Sequence, residues 1–381
     1  MPIDLNPFGL YWVLDPSTMS TPIPASYETA TAEINGANIS FYDRAGKEFI
    51  NFNLIKKLGE GGYGTTFLID EKFGGKQAVV KMIRRSPTFS TQDVIAEVIA
   101  QIIISEGTKD VDYSDIDLKG PFAAPVFHFA KDANYYYILN QRLMVDLNEV
   151  LMQKKEMSHN IKVSILQIAT ILDYVRHHYE FNHRDFKPDN IMFDDNGVRL
   201  IDFGFCCMKY EGLVISPGYE YPKRHLLACG KKSRDLNALF YYLLNRSPYL
   251  KIVCPIKRVL RALMFASEGD PVNWKNSYEK YNSRDDLPNM SPEVVIRVLM
   301  KVSFLKVETC PEIAPVWVRE LVEINEGVLS LLKKEEINEL DPLKLVTYLR
   351  QKRSQATCGR LLGITNNDDV KEACQTILAN P

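Results

Sequence analysis

Asn182-His183-Arg184-Asp185-Phe186-Lys187-Pro188-Asp189-Asn190, followed seventeen residues after Asp185 by Asp202-Phe203-Gly204, decides how this chain is read. The two stretches place two carboxylates and an amide within one short region. One carboxylate can take the proton of an attacking hydroxyl. The amide and the second carboxylate are hard oxygen donors of the kind that hold a metal ion on a nucleotide's phosphates.

Upstream, Gly59-Glu60-Gly61-Gly62-Tyr63-Gly64 lies between Phe52-Asn53-Leu54-Ile55 and Thr66-Phe67-Leu68-Ile69. The pattern is strand, glycine turn, strand. A turn that folds over phosphates needs glycines, because a Cβ would hold the backbone N–H groups away from the oxygens. A dinucleotide-binding turn is the rival, but it would run into a helix, and the segment here is extended. A plain glycine-rich hairpin is the bland alternative. Lys81 follows Gly64 by seventeen residues and closes the apolar run Ala78-Val79-Val80. Sixteen residues further, Glu97 sits in Asp93–Ile102, a run of helical length with a broad apolar face. Ser90 or Thr91 can cap that helix. Glu97 facing Lys81 would hold the lysine toward phosphates; a solvated glutamate is the alternative, with Glu106 nearby.

In this order the motifs resemble those of the eukaryotic-type protein kinase family, of the serine/threonine kind, over roughly residues 50 to 250. The resemblance implies an α+β fold of two lobes, a small β-rich one with one key helix and a larger helical one. It implies ATP and magnesium as cofactors and a protein with a serine or threonine acceptor as partner. Gly59, Gly61 and Gly64, with Gly62 and Tyr63 in the same loop, would cover the phosphates. Thr66 and Val79 would line adenine. Lys81 would touch the α and β phosphates and pair with Glu97. A hinge of Asn140, Gln141 and Arg142 would meet adenine through its backbone. Asp185 would be the catalytic base and Lys187 would stabilise the transferred group. Asn190 and Asp202 would bind magnesium. Two other functions fit the same fold: a scaffold without turnover, and a phosphotransferase acting on a small molecule.

Composition agrees with a globular chain of this size. The 381 residues are 46% hydrophobic and 25% charged, with a net charge of −2 that suggests neither nucleic acid nor membrane as a partner. The seven cysteines show no paired metal spacing, and Cys206-Cys207 reads as two buried thiols. Phe8–Leu14 is too short an apolar run for a convincing signal peptide, and no segment reaches transmembrane length. The expected location is cytoplasmic, or host cytoplasm or virion for a viral protein. Residues 1–35 read as an irregular lead-in, 36–139 as the small lobe with an extra hairpin around Asp43–Gly46, 140–335 as the large lobe, and 336–381 as a helical tail. Within them Ile161–His178, 290–305, Leu343–Arg350 and Val370–Leu378 read as helices. His183 reads as a packed scaffold residue, and Asp235 as a tie to the backbone before Asp185.

Several positions depart from the family pattern. Val79 stands where alanine is usual, Thr66 where valine is, and Gln101 where an apolar residue is. No Ala-Pro-Glu closes the segment after Asp202; Ser216–Pro222 is the nearest stretch, with Glu220 its only acid. These departures resemble the divergent kinases of large DNA viruses. Ser216 is the only serine or threonine between Gly204 and Pro222, so a phosphorylation switch is not expected there.

Overall fold

The computed structural model describes residues 1–61, 64–87, 90–152, 157–218, 229, 235–245, 292, 295, 296, 337, 338 and 342–379. The chain forms two compact units, residues 1–149 with 171–235, and residues 150–170 with 236–381.

In the first unit, strands β1 (Ile3–Asp4) and β2 (Val13–Leu14) pair with each other. Next come β3 (Ala30–Asn35), β4 (Asn38–Tyr42), β5 (Glu48–Glu60), β6 (Thr65–Phe73) and β7 (Lys76–Arg84). Helix α1 (Thr91–Thr108) follows, then the short pair β8 (Asp112–Tyr113) and β9 (Leu118–Lys119), then β10 (Val126–Lys131) and β11 (Tyr135–Gln141). Seven of these strands close into a barrel in the order β10-β11-β7-β6-β5-β4-β3, sealed by a parallel β3–β10 pair. Residues 1–35 are therefore not an irregular lead-in throughout. Ala30 and Ala32 face the barrel interior, and Leu5, Leu10 and Leu14 are fully buried.

The period of two in each strand decides what fills the barrel. Ala78, Val80 and Met82 of β7 point inward with Tyr137 and Leu139 of β11, against Ile39, Phe41, Phe52 and Ile69. Phe41 meets Phe52 edge-on at 5.5 Å and Tyr137 at 5.9 Å. The β5–β6 turn is closed by a bond from the Gly61 N–H to the Gly64 carbonyl. A Cβ at Gly64 would stand 2.6 Å from the Met82 carbonyl oxygen, so only glycine lets the turn lie this close to β7.

Helix α1 begins at a complete capping box. Ser90 accepts from the Asp93 N–H, and the Asp93 carboxylate accepts from the Ser90 N–H. Val94 to Ser105 are buried without a break, so the helix is covered on all sides. Strand β12 (Val145–Asp146) leads to helix α2 (Leu147–Met152) and then to helix α3 (Met157–Tyr179). Hairpin β13 (Ile191–Asp194) and β14 (Gly197–Leu200) and hairpin β15 (Met208–Tyr210) and β16 (Leu213–Ile215) complete the first unit. Arg199 is fully buried in β14. Its Nε donates to Asp194 Oδ2 at 3.0 Å and its Nη1 to the Val198 carbonyl at 2.7 Å. Its Nη2 approaches Asp194 Oδ1 at 2.8 Å as an ion pair, without hydrogen-bond alignment.

The described part of the second unit is helical. It contains residues 157–170 of α3, residues 236–245 of helix α4 (Asp235–Asn245), and helices α5 (Pro342–Lys352), α6 (Gln355–Leu362) and α7 (Asp368–Ala379). Val370, Ala373, Cys374 and Ile377 form the buried stripe of α7. The expected helix over 290–305 lies outside the described residues, apart from positions 292, 295 and 296. No described helix is long and apolar enough to cross a membrane.

His128 of β10 gives the barrel a pH dependence. Its ring lies 5.4 Å from that of Phe49 and 5.7 Å from that of Phe73, and Nδ1 is buried without a hydrogen-bond partner among the described residues. Burial pushes its pKa down to about 4, against a smaller opposing contact with the Pro7 backbone. Below about pH 6.5 the unfolded chain binds a proton here that the folded chain refuses until about pH 4. Stability is thus lost as pH falls through that window. The expected loss between pH 7 and 4 is about 2–3 kcal/mol greater for the wild type than for His128→Gln. Chemical denaturation of both proteins across that range measures it, and equal pH profiles would contradict this role.

Candidate active site

The candidate site residues that the structure describes all fall in the first unit. Strand register gathers the first group. Lys81 pairs with Thr66 on one side and Ile138 on the other, and Val79 with Leu68 and Asn140. Directly opposed residues share a sheet face, so Thr66, Val79, Lys81 and Asn140 lie together on the face away from the barrel core. Gly59, opposite Thr66, and Gly61 and Gly64 lead the chain over the end of that face. Gly62 and Tyr63 lie outside the described residues.

Lys81 is the centre of the second group. Its Nζ donates to Glu97 Oε1 at 2.7 Å and to Asp202 Oδ1 at 2.9 Å. Glu97 reaches it from the buried body of α1, which excludes the solvated alternative for that side chain. Burial works against the charge on Lys81, but the Asp202 and Glu97 carboxylates outweigh it and hold its pKa above the usual lysine value. Burial likewise opposes ionisation of Asp202, and Lys81 beside it prevails and lowers its pKa. One cation between two carboxylates leaves one negative charge over.

The third group is the loop before β13. Asp185 Oδ2 accepts from Lys187 Nζ at 2.6 Å and from Asn190 Nδ2 at 3.1 Å. Asn190 Nδ2 also donates to the Asp185 carbonyl at 2.8 Å, which fixes the orientation of the amide. The Ile201 N–H donates to the Asn190 carbonyl at 3.2 Å, so the two arms of the β13–β14 hairpin hold Asn190 beside the strand end that leads to Asp202. Asp235 accepts from the N–H groups of His183 at 2.8 Å and Arg184 at 2.9 Å. Arg184 has φ +68° and Asp202 φ +62°, left-handed conformations that cost about 1–3 kcal/mol each and persist only when neighbours enforce them. The Asp235 carboxylate is such an enforcer. His183 is fully buried among Phe181, Phe186 and Phe203, its Nε2 at 3.0 Å from the Ile201 carbonyl, as a scaffold residue would be.

Asn140 and Gln141 of the expected hinge end β11 and Arg142 follows it: Arg142 donates its N–H to the Gln77 carbonyl at 2.8 Å, Gln141 to the Pro125 carbonyl at 3.0 Å, and Asn140 Oδ1 accepts from Gln101 Nε2 at 3.0 Å. Gln101, at a position expected to be apolar, also donates to the Ala124 carbonyl at 2.7 Å. The Cys206-Cys207 pair is not two thiols: Cys206 is free and buried, whereas Cys207 is bonded to Cys229 with their Cα atoms 5.2 Å apart. Asp93 also reaches the segment after Asp202, accepting from the Gly218 N–H at 2.6 Å. The Ser-x-x-Asp spacing announces a helix start but carries no signal for that contact. Glu220 lies outside the described residues.

The model of the protein kinase domain family matches residues 52–222. The chain is 32% identical over 158 residues to the serine/threonine-protein kinase cot-1 of Neurospora crassa, an alignment covering 40% of this chain and 24% of that protein. It is 29% identical over 202 residues to ribosomal protein S6 kinase beta of Caenorhabditis elegans, covering 51% and 34%. It is 28% identical over 156 residues to the serine/threonine-protein kinase CBK1 of Candida albicans, covering 40% and 20%. The chain thus spans about a third or less of the length of these curated relatives. Residues 52–222, with their β-rich region and buried lysine–glutamate pair, are thus similar to the protein kinase domain, and the relatives they match are serine/threonine protein kinases.

Proposed function

We propose that the protein transfers the γ-phosphoryl group of Mg-ATP to serine and threonine hydroxyls of protein substrates. The observation that carries this reading is Lys81, held between Glu97 and Asp202 on the same face as Thr66 and Val79. A cation fixed there is placed for phosphate oxygens and has no freedom to fold back into solvent.

The donor set suits magnesium. Among the described residues no three His, Cys, Asp or Glu side chains could hold a metal by themselves. Magnesium is commonly held by one or two protein oxygens together with phosphate oxygens and water, which the Asn190 amide oxygen and the Asp202 carboxylate match. The surplus negative charge around Lys81 suits a cation as well. The ion would neutralise charge on the β and γ phosphates.

The remaining work falls to the chain. Asp185 Oδ1 has no partner among the described residues and is the atom assigned to the proton of the acceptor hydroxyl. Lys187 and Asn190 hold the other oxygen, so the carboxylate is aimed before substrate arrives. Lys187 lies close enough to shift from Asp185 to the charge on the transferred group. A second reading, a scaffold that turns over weakly or not at all, draws on one observation: the Arg142 N–H is engaged by Gln77, which leaves adenine one backbone donor fewer. It differs in outcome, since a scaffold gives no labelled phosphate on a generic protein substrate.

The base and the metal ligand are expected to separate cleanly. Asp185→Asn should lower turnover by about 10² or more while keeping the thermal stabilisation by Mg-ATP, because the group acts on the hydroxyl and not on bound nucleotide. Asp202→Ala should lose that stabilisation along with activity. Near-normal turnover in the first variant, or unchanged Mg-ATP stabilisation in the second, would show the roles to be misplaced.

Ser216 is expected to be no switch. Its hydroxyl already accepts from Arg184 Nη1 at 3.3 Å and donates to the Cys206 carbonyl at 3.2 Å. Ser216→Ala should retain at least about half of the activity, a barrier change under roughly 0.5 kcal/mol. Kinase assays on phosphatase-treated wild type and on this variant decide the point; a large parallel loss in both would make Ser216 a regulatory site.

A further inference from the structure

Asp93 divides its two oxygens between two tasks. Oδ2 accepts from the N–H of Ser90 at 2.7 Å and from its hydroxyl at 2.8 Å, closing the cap of α1. Oδ1 accepts from the Gly218 N–H at 2.6 Å, across 125 residues of chain. A Cβ at Gly218 would stand 2.6 Å from that same oxygen, so with any other residue the carboxylate or the segment has to shift. Gly218 lies two residues beyond Ser216, in the segment that Arg184 touches from the loop before Asp185.

Asp93 and Glu97 are four residues apart on α1 and so lie on one side of the helix. The segment after β16 thereby holds the first turn of the helix, and the next turn presents Glu97 to Lys81. Kinase segments of this kind are commonly ordered by an added phosphate that gathers arginines. Here the fixed negative charge belongs to the chain itself, and it meets a backbone donor instead of a cation. A phosphate brought to the same place would be repelled by Asp93.

We propose that Asp93 is a positioning residue for phosphoryl transfer: its bond to the Gly218 N–H latches the segment after Asp202 to α1 and keeps Glu97 on Lys81 without phosphorylation. The proposal rests on the protein kinase reading given above.

Three single variants and one double variant test it. Asp93→Ala loses both the latch and half of the cap, Gly218→Ala disturbs the latch alone, and Ser90→Ala disturbs the cap alone. Asp93→Ala and Gly218→Ala should each lower kcat about five- to tenfold, the rate equivalent of one ordinary hydrogen bond's net contribution. Ser90→Ala should stay within about twofold of wild type, and the double variant should fall no more than about twofold below either single one, because both remove the same contact. A Ser90→Ala loss equal to that of Asp93→Ala would reduce Asp93 to a helix cap, and multiplying losses in the double variant would also overturn the latch. Hydrogen exchange on the unliganded protein reads the contact without catalysis. Gly218→Ala should speed exchange of the α1 amides at 94–97 about tenfold, although the substitution lies outside the helix. Unchanged exchange overturns the latch even if the enzyme is active. A wild type with faster exchange in Gly218→Ala but no phosphate transfer would sink the kinase reading and leave the latch standing.

Discussion

One lysine between two carboxylates organises the first unit. Lys81 is carried by β7, Glu97 by α1, and Asp202 by the chain leaving β14, so two consecutive elements and a third, 121 residues further on, meet on one ammonium group. Burying these charges is unfavourable unless each is answered, and removing one partner from a buried pair commonly costs about 3–5 kcal/mol. The contact therefore acts as a geometric demand. β7 must present Lys81 away from the barrel core, α1 must turn Glu97 toward the sheet, and the chain after β14 must swing Asp202 in through a left-handed residue. The two pKa shifts express the same arrangement, with Lys81 moved up and Asp202 moved down.

A second polar core supports the other side. Arg199 and Asp194 tie the β13–β14 hairpin across its own turn, with the guanidinium fully out of solvent. The arms of that hairpin begin just after Asn190 and end two residues before Asp202, so the stiffness of the hairpin sets the separation of the two proposed metal ligands. Asp235 does the same for the backbone at Arg184. At Arg184 the buried Asp235 carboxylate holds a left-handed conformation that the local chain would not adopt alone.

The sequence disclosed the chemistry more readily than its support. Lys81, Glu97, Asp185, Asn190 and Asp202 stand in an order that resembles the protein kinase domain, and the two-lobed α+β class follows from that resemblance. Helix α1 was legible from Ser90, Asp93 and the apolar run behind them, because capping is local. β3 was not. Ala-Thr-Ala-Glu-Ile-Asn looks like linker, since its inward residues are two alanines that give no apolar alternation, and only pairing with β4 and β10 makes it a strand. Arg199 resembles a solvent-facing strand residue until Asp194 is placed beside it. The Cys207–Cys229 bond and the Asp93–Gly218 contact join positions whose meeting is set by tertiary structure, which neither periodicity nor propensity encodes.

Closure of the barrel changes how this sheet can meet other molecules. An open sheet ends in strands whose outer N–H and C=O groups await a partner, and peptides or second copies can add a strand there. Here β3 completes its bonding to β4 on one side and meets β10 on the other, so the seven-stranded ring has no terminal strand. The two small alanines that hid β3 from view are what let it tuck against the interior as the last stave. Strand addition to this ring is thereby confined to the parts of β3 and β10 beyond their two paired positions, and a protein partner of the ring is selected mainly by side chains.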